Sequence, residues 1–324
     1  MDEAVIEKIV EEYEAQTEKN IRERDQRVRE VYKKIPEIEK IDDEINRIGS
    51  STLKKILSDP DNGDIKIEME NKFKILSQRK KELIEKNNIP ADYDKLHYKC
   101  SLCKDTGYVE GQGRCSCFKQ KLINNLYMSS NMNELLKKQN FDTYDPEVFG
   151  KEKIKGLKYS PYENMQIIRR VCEKFADNID EPGKNIIFHG DTGLGKTFMS
   201  SCIAKRVMDS GHTVIYIRAS RLFKILDDER FGRAAEGLEN IYNSDLLIID
   251  DLGTELSSKN NSSYLFDLVN ERLTGEKKII INTNLNFEGL EKLYTKRFTS
   301  RIMESFEMLY FYGEDIRRKK FLKK

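Results

Sequence analysis

The sequence predicts an α/β fold with a mainly parallel sheet and a P-loop, preceded by an α-helical N-terminal region and a small zinc module. Three observations predict it. From about residue 135 onward, apolar runs alternate with helical stretches. The segment Gly190-Asp191-Thr192-Gly193-Leu194-Gly195-Lys196-Thr197 fits G-x-x-x-x-G-K-[ST]. Four of the six cysteines fall within 18 residues, upstream of that segment.

The alternation sets the fold class. Ile186 to Phe188, Val214 to Ile217, Leu246 to Ile249 and Lys278 to Ile281 are short, β-branched and continuous, as strands buried on both faces are. Met165 to Phe175, Phe198 to Met208, Ser262 to Leu273 and Phe287 to Phe298 read as the helices between them. Strands alternating with helices imply a three-layer domain.

The glycine segment follows the first of these strands and opens a helix, which is the context a P-loop requires. Gly190, Gly193 and Gly195 let the backbone curl so that successive N–H groups face phosphate oxygens. The helix N-terminus adds partial positive charge. Lys196 is expected at the β- and γ-phosphates of ATP, and the Thr197 hydroxyl on Mg²⁺. Leu246-Leu247-Ile248-Ile249-Asp250-Asp251 delivers two carboxylates at the C-terminal tip of a buried strand, the edge where open α/β sheets bind ligands. Asp250 is expected on Mg²⁺ and Asp251 on the attacking water. Ile281-Asn282-Thr283-Asn284 ends another strand in amides; Asn284 is the expected water-positioning group. Arg297 and Arg301 are four apart, on one helical face, and suit an arginine supplied to a neighbouring subunit's γ-phosphate. Gly313-Glu314-Asp315-Ile316-Arg317 would bring Arg317 to the nucleotide from the C-terminal side.

Cys100-x₂-Cys103 and Cys115-x-Cys117 suit tetrahedral Zn²⁺, with thiolates from two tight turns. So short a segment builds no core, so the metal would supply folding energy. His97 reads as a surface or outer-sphere histidine, and Cys172 and Cys202 as core residues. Upstream, Val5, Ile9 and Tyr13, then Val28, Val31, Ile35 and Ile38, then Ile41, Ile45 and Ile48 recur at helical spacing. Pro36 breaks or starts a helix, Asp59-Pro60-Asp61-Asn62-Gly63 is a turn, and a further helix runs from about Ile65 to Lys86. A helical hairpin or small bundle results. Its thin apolar stripe needs a partner, which fits a protein-docking domain or a dimerising coiled coil.

The chain has 324 residues, enough for two or three domains, and a net charge of +1, so no global field selects a nucleic-acid partner. Charged residues are 35% and apolar ones 38%, as expected of long exposed helices beside a packed core. No apolar run reaches 18 residues and the N-terminus is acidic, so neither a membrane span nor a signal peptide is expected. Clustered cysteines fit a reducing, cytoplasmic setting.

These motifs, in this order, resemble the AAA+ ATPases of the DnaC/DnaI bacterial helicase-loader group over roughly residues 140 to 320. The matching elements are residues 190–197, Leu-Ile-Ile-Asp-Asp-Leu-Gly-Thr-Glu (247–255), Asn-Thr-Asn (282–284), Arg-Phe-Thr-Ser-Arg (297–301) and Gly-Glu-Asp-Ile-Arg (313–317). The resemblance makes Lys196 and Thr197 Walker A, Asp250 and Asp251 Walker B, Asn284 sensor 1, Arg301 the arginine finger and Arg317 sensor 2. Many AAA+ enzymes carry Glu where this chain has Asp251, which implies weak or partner-stimulated hydrolysis; Glu255 is expected past the strand end. The resemblance implies a loader that docks on a hexameric replicative helicase through its N-terminal region, oligomerises with ATP and places the helicase on single-stranded DNA during replication initiation. Arg221, Phe223, Lys224, Arg230 and Arg233 interleave cations with aromatics, a pattern that tracks a DNA backbone and stacks on bases. The tail from Arg317 to Lys324 has six basic residues of eight. Domains are expected at 1–95 (helicase-docking helices), 96–120 (Cys₄ module), 121–139 (linker) and 140–324 (AAA+ domain). The alternatives are an IstB-type transposition helper ATPase, which shares the core, and an adaptor whose nucleotide site only switches conformation.

Overall fold

A computed structural model of the chain describes residues 3–58, 63–127, 135–136, 138–231, 238–255 and 261–318. Backbone contacts divide it into two compact units, Val10–Gly107 and Met1–Ile9 with Tyr108–Lys324.

The first unit is helical. α1 (Glu3–Lys34) ends at Ile35, and α2 (Pro36–Ser58) starts on Pro36, whose missing N–H costs nothing at a first helical position. Glu37 and Glu39 in that first turn complement the helix dipole. Residues 59–62, the expected turn, lie outside the described residues, and α3 (Gly63–Lys86) follows. Ile35, Ile38, Ile41, Leu83 and Tyr93 form a small buried core, with Val28, Val31, Ile45 and Leu76 at its margin. Asp42 ties the elements together: it accepts from Tyr32 Oη at 2.9 Å and from Lys80 Nζ at 2.7 Å.

The second unit takes in the start of α1 up to Ile9 and resumes at Tyr108 with a short antiparallel hairpin, β1 (Tyr108–Val109) and β2 (Gly113–Arg114), and α4 (Ser116–Tyr127). α4 runs across the expected zinc-module boundary at residue 120. Two 3₁₀ turns, Phe141–Thr143 and Pro146–Val148, precede α5 (Pro161–Asp177). α5 starts on a Ser160/Glu163 capping box with proline in its first turn. Then follow β3 (Asn185–His189), α6 (Lys196–Asp209), β4 (Val214–Arg218), α7 (Ala219–Arg230), α8 (Leu238–Asn243), β5 (Leu246–Leu252), α9 (Asn261–Thr274) and β6 (Lys278–Thr283). α10 (Phe287–Leu293), α11 (Lys296–Ser305) and β7 (Phe306–Tyr310) close the described fold.

The five long strands pair in parallel, in the order β4-β5-β6-β3-β7. Strand alternation sends Ile187, Ile215, Leu247, Ile249, Ile279 and Ile281 to one face, against α7, α9, α10 and α11. Ile186, Phe188, Tyr216, Ile248 and Ile280 go to the other, against α5 and α6. Both faces are covered, which is why these strands read as unbroken apolar runs. The expected helix from Phe287 to Phe298 is instead two, each with its own cap: Asn286 accepts from Gly289 N and Thr295 from Phe298 N. Strand β7 and helix α8 were not expected from the sequence. Arg272 is fully buried, with its guanidinium donating to the carbonyls of Ile241, Tyr242, Ser244 and Lys278. Burial lowers its pKa to about 9. It fastens α9 to the starts of β5 and β6. No described helix is long and apolar enough to cross a membrane.

Candidate nucleotide site and cysteine cluster

The P-loop joins β3 to α6. Gly190, Gly193 and Gly195 have φ of 133°, 79° and 100°, a region that side-chain-bearing residues rarely adopt. Gly195 is the N-cap of α6 and offers no side chain, so the first N–H groups of the helix remain available to an anion. Asp191 and Thr192 are exposed, whereas Leu194 is buried and anchors the loop. Lys196 is 7% exposed and donates to Gly190 O, to Asp191 O at 2.7 Å and to Asn284 Oδ1 at 2.7 Å. The bond to Asn284 joins the P-loop to the end of β6, bringing together two residues 88 positions apart. Burial lowers the Lys196 pKa, while Asp250, Asp251 and Asp191 oppose the shift.

Asp250 lies at the C-terminal end of β5 and is 6% exposed. Its Oδ1 accepts from Asn282 Nδ2 at 2.8 Å and from Asp251 N at 3.1 Å, and its Oδ2 from Tyr216 Oη at 3.0 Å. Asn282 Oδ1 in turn accepts from Ser200 Oγ at 2.8 Å. Desolvation raises the Asp250 pKa. The next residue, Asp251, has φ of 56°, in the left-handed region. The pairing with β6 shifts register over this stretch, between Ile249 and Leu252. Asp251 is thereby exposed while Leu252 returns to the core, an irregular backbone at the point where chemistry is expected. Glu255 does lie past the strand end. It accepts from Tyr294 Oη and from Gly253 N at 2.9 Å, and this pairing with the residue that caps α10 is not legible in the sequence.

The segment after β7 lies on the P-loop. Ile316 N donates to Gly193 O at 3.0 Å, and a Cβ on Gly193 would fall 2.1 Å from Asp315 Oδ1. Arg317 is exposed and near enough to contribute to the lowered Lys196 pKa. Arg301 is held within its own chain, by Asn270 Oδ1 at 2.9 Å and Glu304 Oε2 at 2.9 Å. Its side chain is 39% exposed. Of the expected ATP site, Lys196, Asn284, Asp250, Asp251 and Arg317 therefore converge, and Arg301 has other partners. The positive-φ glycines, the uncapped helix and the buried lysine fit a phosphate chain, and Thr197 with Asp250 fits Mg²⁺.

On α7, Arg221, Lys224 and Arg230 are exposed, and Arg230 lies 5.7 Å from the Tyr264 ring centroid. Phe223 corrects the sequence reading. It is 4% exposed and packed in the core with Ala219, Leu222 and Leu226, so its ring is not available to stack on a base. The exposed ring nearby is Phe231. Arg233 and residues 319–324 of the basic tail lie outside the described residues.

The ligand atoms of Cys100, Cys103, Cys115 and Cys117 all lie within 4.8 Å of one another. A tetrahedral Zn²⁺ with bonds of about 2.3 Å holds its sulfurs about 3.8 Å apart, so the four fit one ion. The Gly107, Gly111 and Gly113 backbones, with φ of 73°, 74° and 80°, turn the chain back between the pairs. Asp105 is 2% exposed and accepts from Lys99 N at 2.9 Å, Cys100 N at 2.8 Å and Asn20 Nδ2 at 2.8 Å, fixing the first cysteine turn to α1. Gly107 N donates to Cys103 Sγ at 3.3 Å. His97 is exposed and paired with Asp92, and Cys172 and Cys202 are buried in the core with raised pKa values, as expected.

Comparison with known proteins converges on the same domain. Residues 167–322 match the family described as IstB-like ATP binding protein. The chain is 28% identical over 137 residues to the replicative helicase loader DnaC of Escherichia coli, a match covering 41% of this chain and 54% of the loader, about half its length. It is 25% identical over 201 residues to the uncharacterized protein YdaV of the same organism, covering 60% of this chain and 75% of that one. Among solved structures, a DnaC helicase loader aligns over 55% of this chain and 99% of its own, with 24% identity and a TM-score of 0.45. DnaI aligns over 54% and 94%, with 22% identity and a TM-score of 0.42. The P-loop, the paired strand-end aspartates and the family match make this segment, residues 167–322, an AAA+ ATPase domain of the IstB/DnaC family.

Proposed function

We propose that the chain is an ATP-dependent loader that docks on a hexameric replicative helicase and places it on single-stranded DNA. The observation that carries the nucleotide half is the Lys196–Asn284 bond, which holds the phosphate-binding lysine and the water-positioning amide at one point. Bound Mg²⁺ would neutralise charge on the β- and γ-phosphates, held by Thr197 and, usually through water, by Asp250. The residues supply the rest. Lys196 and the P-loop amides take the phosphate oxygens. Asn284 orients the attacking water and Asp251 accepts its proton. Arg317 reaches the nucleotide from the C-terminal side. Arg301 completes the site of a neighbouring copy, leaving Asn270 and Glu304 to do so. The short Asp251 side chain supports slow, partner-stimulated hydrolysis, with ATP governing assembly.

The helicase half rests on the relation to DnaC, with residues 1–95 as the docking region, 96–120 as the zinc-braced junction, 121–139 as the connection and 140–324 as the ATPase. Arg221, Lys224 and Arg230 supply a DNA-facing surface, and the cytoplasm is the compartment such a loader works in. The test is to titrate the protein onto the replicative helicase of its host, with and without ATP. A stable complex supports the reading, and no complex in either condition overturns it. The IstB-like family match favours a second reading, a transposition helper ATPase, which predicts binding to a transposase and no binding to the helicase.

A further inference from the structure

Asp250 is a buried carboxylate whose two oxygens are both engaged by side chains from neighbouring strands. Tyr216, on β4, is 2% exposed, and its hydroxyl donates to Oδ2 at 3.0 Å. Asn282, on β6, is 1% exposed and donates to Oδ1 at 2.8 Å, while Ser200 on α6 fixes the Asn282 amide from behind. Tyr216 sits in an apolar run that otherwise only fills the core, and Asn282 opens the Asn-Thr-Asn segment, of which only Asn284 is expected at the nucleotide.

We infer that Tyr216 and Asn282 are positioning residues for divalent-cation binding, clamping the Asp250 carboxylate from both sides. The inference rests on the ATPase reading of the site. Two physical effects follow from the clamp. An ionised carboxylate this deeply buried is costly unless donors replace water, and the phenol and the amide are those donors. With one oxygen fixed by each neighbour, the carboxylate is held against rotation, so its remaining lone pairs keep a fixed direction. Removing one donor costs a charge-assisted hydrogen bond, which corresponds to a loss of at least about tenfold in cation affinity.

The test uses the full-length protein with ADP and Mn²⁺, with bound Mn²⁺ read by electron paramagnetic resonance, so that no turnover is needed. Tyr216→Phe keeps ring and volume and removes only the hydroxyl; Asn282→Leu removes the second donor. The expected result is Mn²⁺ affinity weakened at least about tenfold in each variant, with ADP affinity in EDTA unchanged. Loss of ADP binding in EDTA as well would indicate a general structural role and overturn the inference. So would wild-type Mn²⁺ affinity in whichever variant retains a wild-type melting temperature. If the wild-type protein itself binds no Mn²⁺ with ADP, the ATPase reading fails, and the clamp with it; if it binds normally and the variants match it, only the clamp fails.

Discussion

His189 ends β3 one residue before the P-loop and stacks on Tyr310 with ring centroids 4.9 Å apart. Burial, reinforced by the Lys196 charge, holds its pKa below the ordinary imidazole value. An unfolded chain, titrating near 6.5, then binds the proton first. The stabilisation from neutral His189 is therefore full above about pH 6.5 and is lost as the pH falls toward the folded value. Melting temperatures between pH 7.5 and pH 5 should decline more steeply in the wild type than in His189→Gln. Asp250, whose pKa is raised, acts in the opposite sense, but it is common to both proteins and drops out of the comparison. At this scale the sequence was uneven in what it disclosed. Lys196, Asn284 and Asp250 are legible as candidates, because a glycine loop opening a helix and the tips of buried strands are where phosphate and metal chemistry is expected to draw such groups. Tyr216 and Phe223 are not, because one aromatic in an apolar run looks like another. Only packing turned the Tyr216 hydroxyl toward a carboxylate and the Phe223 ring into the core.

The segment after β7 makes a backbone contact with the P-loop, through Ile316 N and Gly193 O. Gly193 permits this twice over: its φ of 79° costs other residues about 1–2 kcal/mol, and its missing Cβ leaves room for Asp315. Gly193→Ala should weaken ATP binding at least about tenfold by titration with a fluorescent nucleotide, since strain and clash both disturb the loop. A variant with wild-type affinity would show that the loop does not depend on this contact. Strand and helix positions were largely readable from the sequence, since a strand buried on both faces has little alternative to a β-branched run. β5 and β6 run past their apolar residues to include Asp250 and Thr283, an extension hidden in the sequence because the polar residues that reach the site have the composition of a loop. β7 is masked in the sequence because Glu307 interrupts its apolar run, and the break within residues 287–298 is masked because Thr295, the cap that starts the second helix, is also an ordinary helix-surface residue.

At the scale of the molecule, the proposed function has a neighbouring copy supply Arg301 to the ATP site. ATPase activity per chain should then rise with protein concentration. Neither Lys196→Ala nor Arg301→Ala alone should hydrolyse appreciably, yet a mixture should recover part of the wild-type rate, because some sites pair an intact P-loop with an intact arginine. A mixture no more active than its parts would exclude a shared site. The cysteine cluster makes a separate prediction. Elemental analysis should find about one zinc per chain, and Cys100→Ser should lose most of it, since three thiolates bind far less tightly than four. Full zinc in that variant would remove Cys100 from the ligand set.

The outer edge of β4 has a consequence for how this protein can be cut. Gln120, on α4, accepts from Val214 N at 2.6 Å and donates to Val214 O at 2.9 Å, so one side-chain amide imitates the next strand of the sheet. Residue 120 lies well before the stretch that the family match covers, residues 167–322. A fragment trimmed to that stretch would keep every nucleotide-binding residue named above and would bare a strand edge, a template for intermolecular pairing. It should self-associate into β-rich aggregates, whereas a fragment that begins ahead of α4 should stay monodisperse. The boundary expected of a monodisperse fragment thus follows from an amide at residue 120, outside every motif of the nucleotide site.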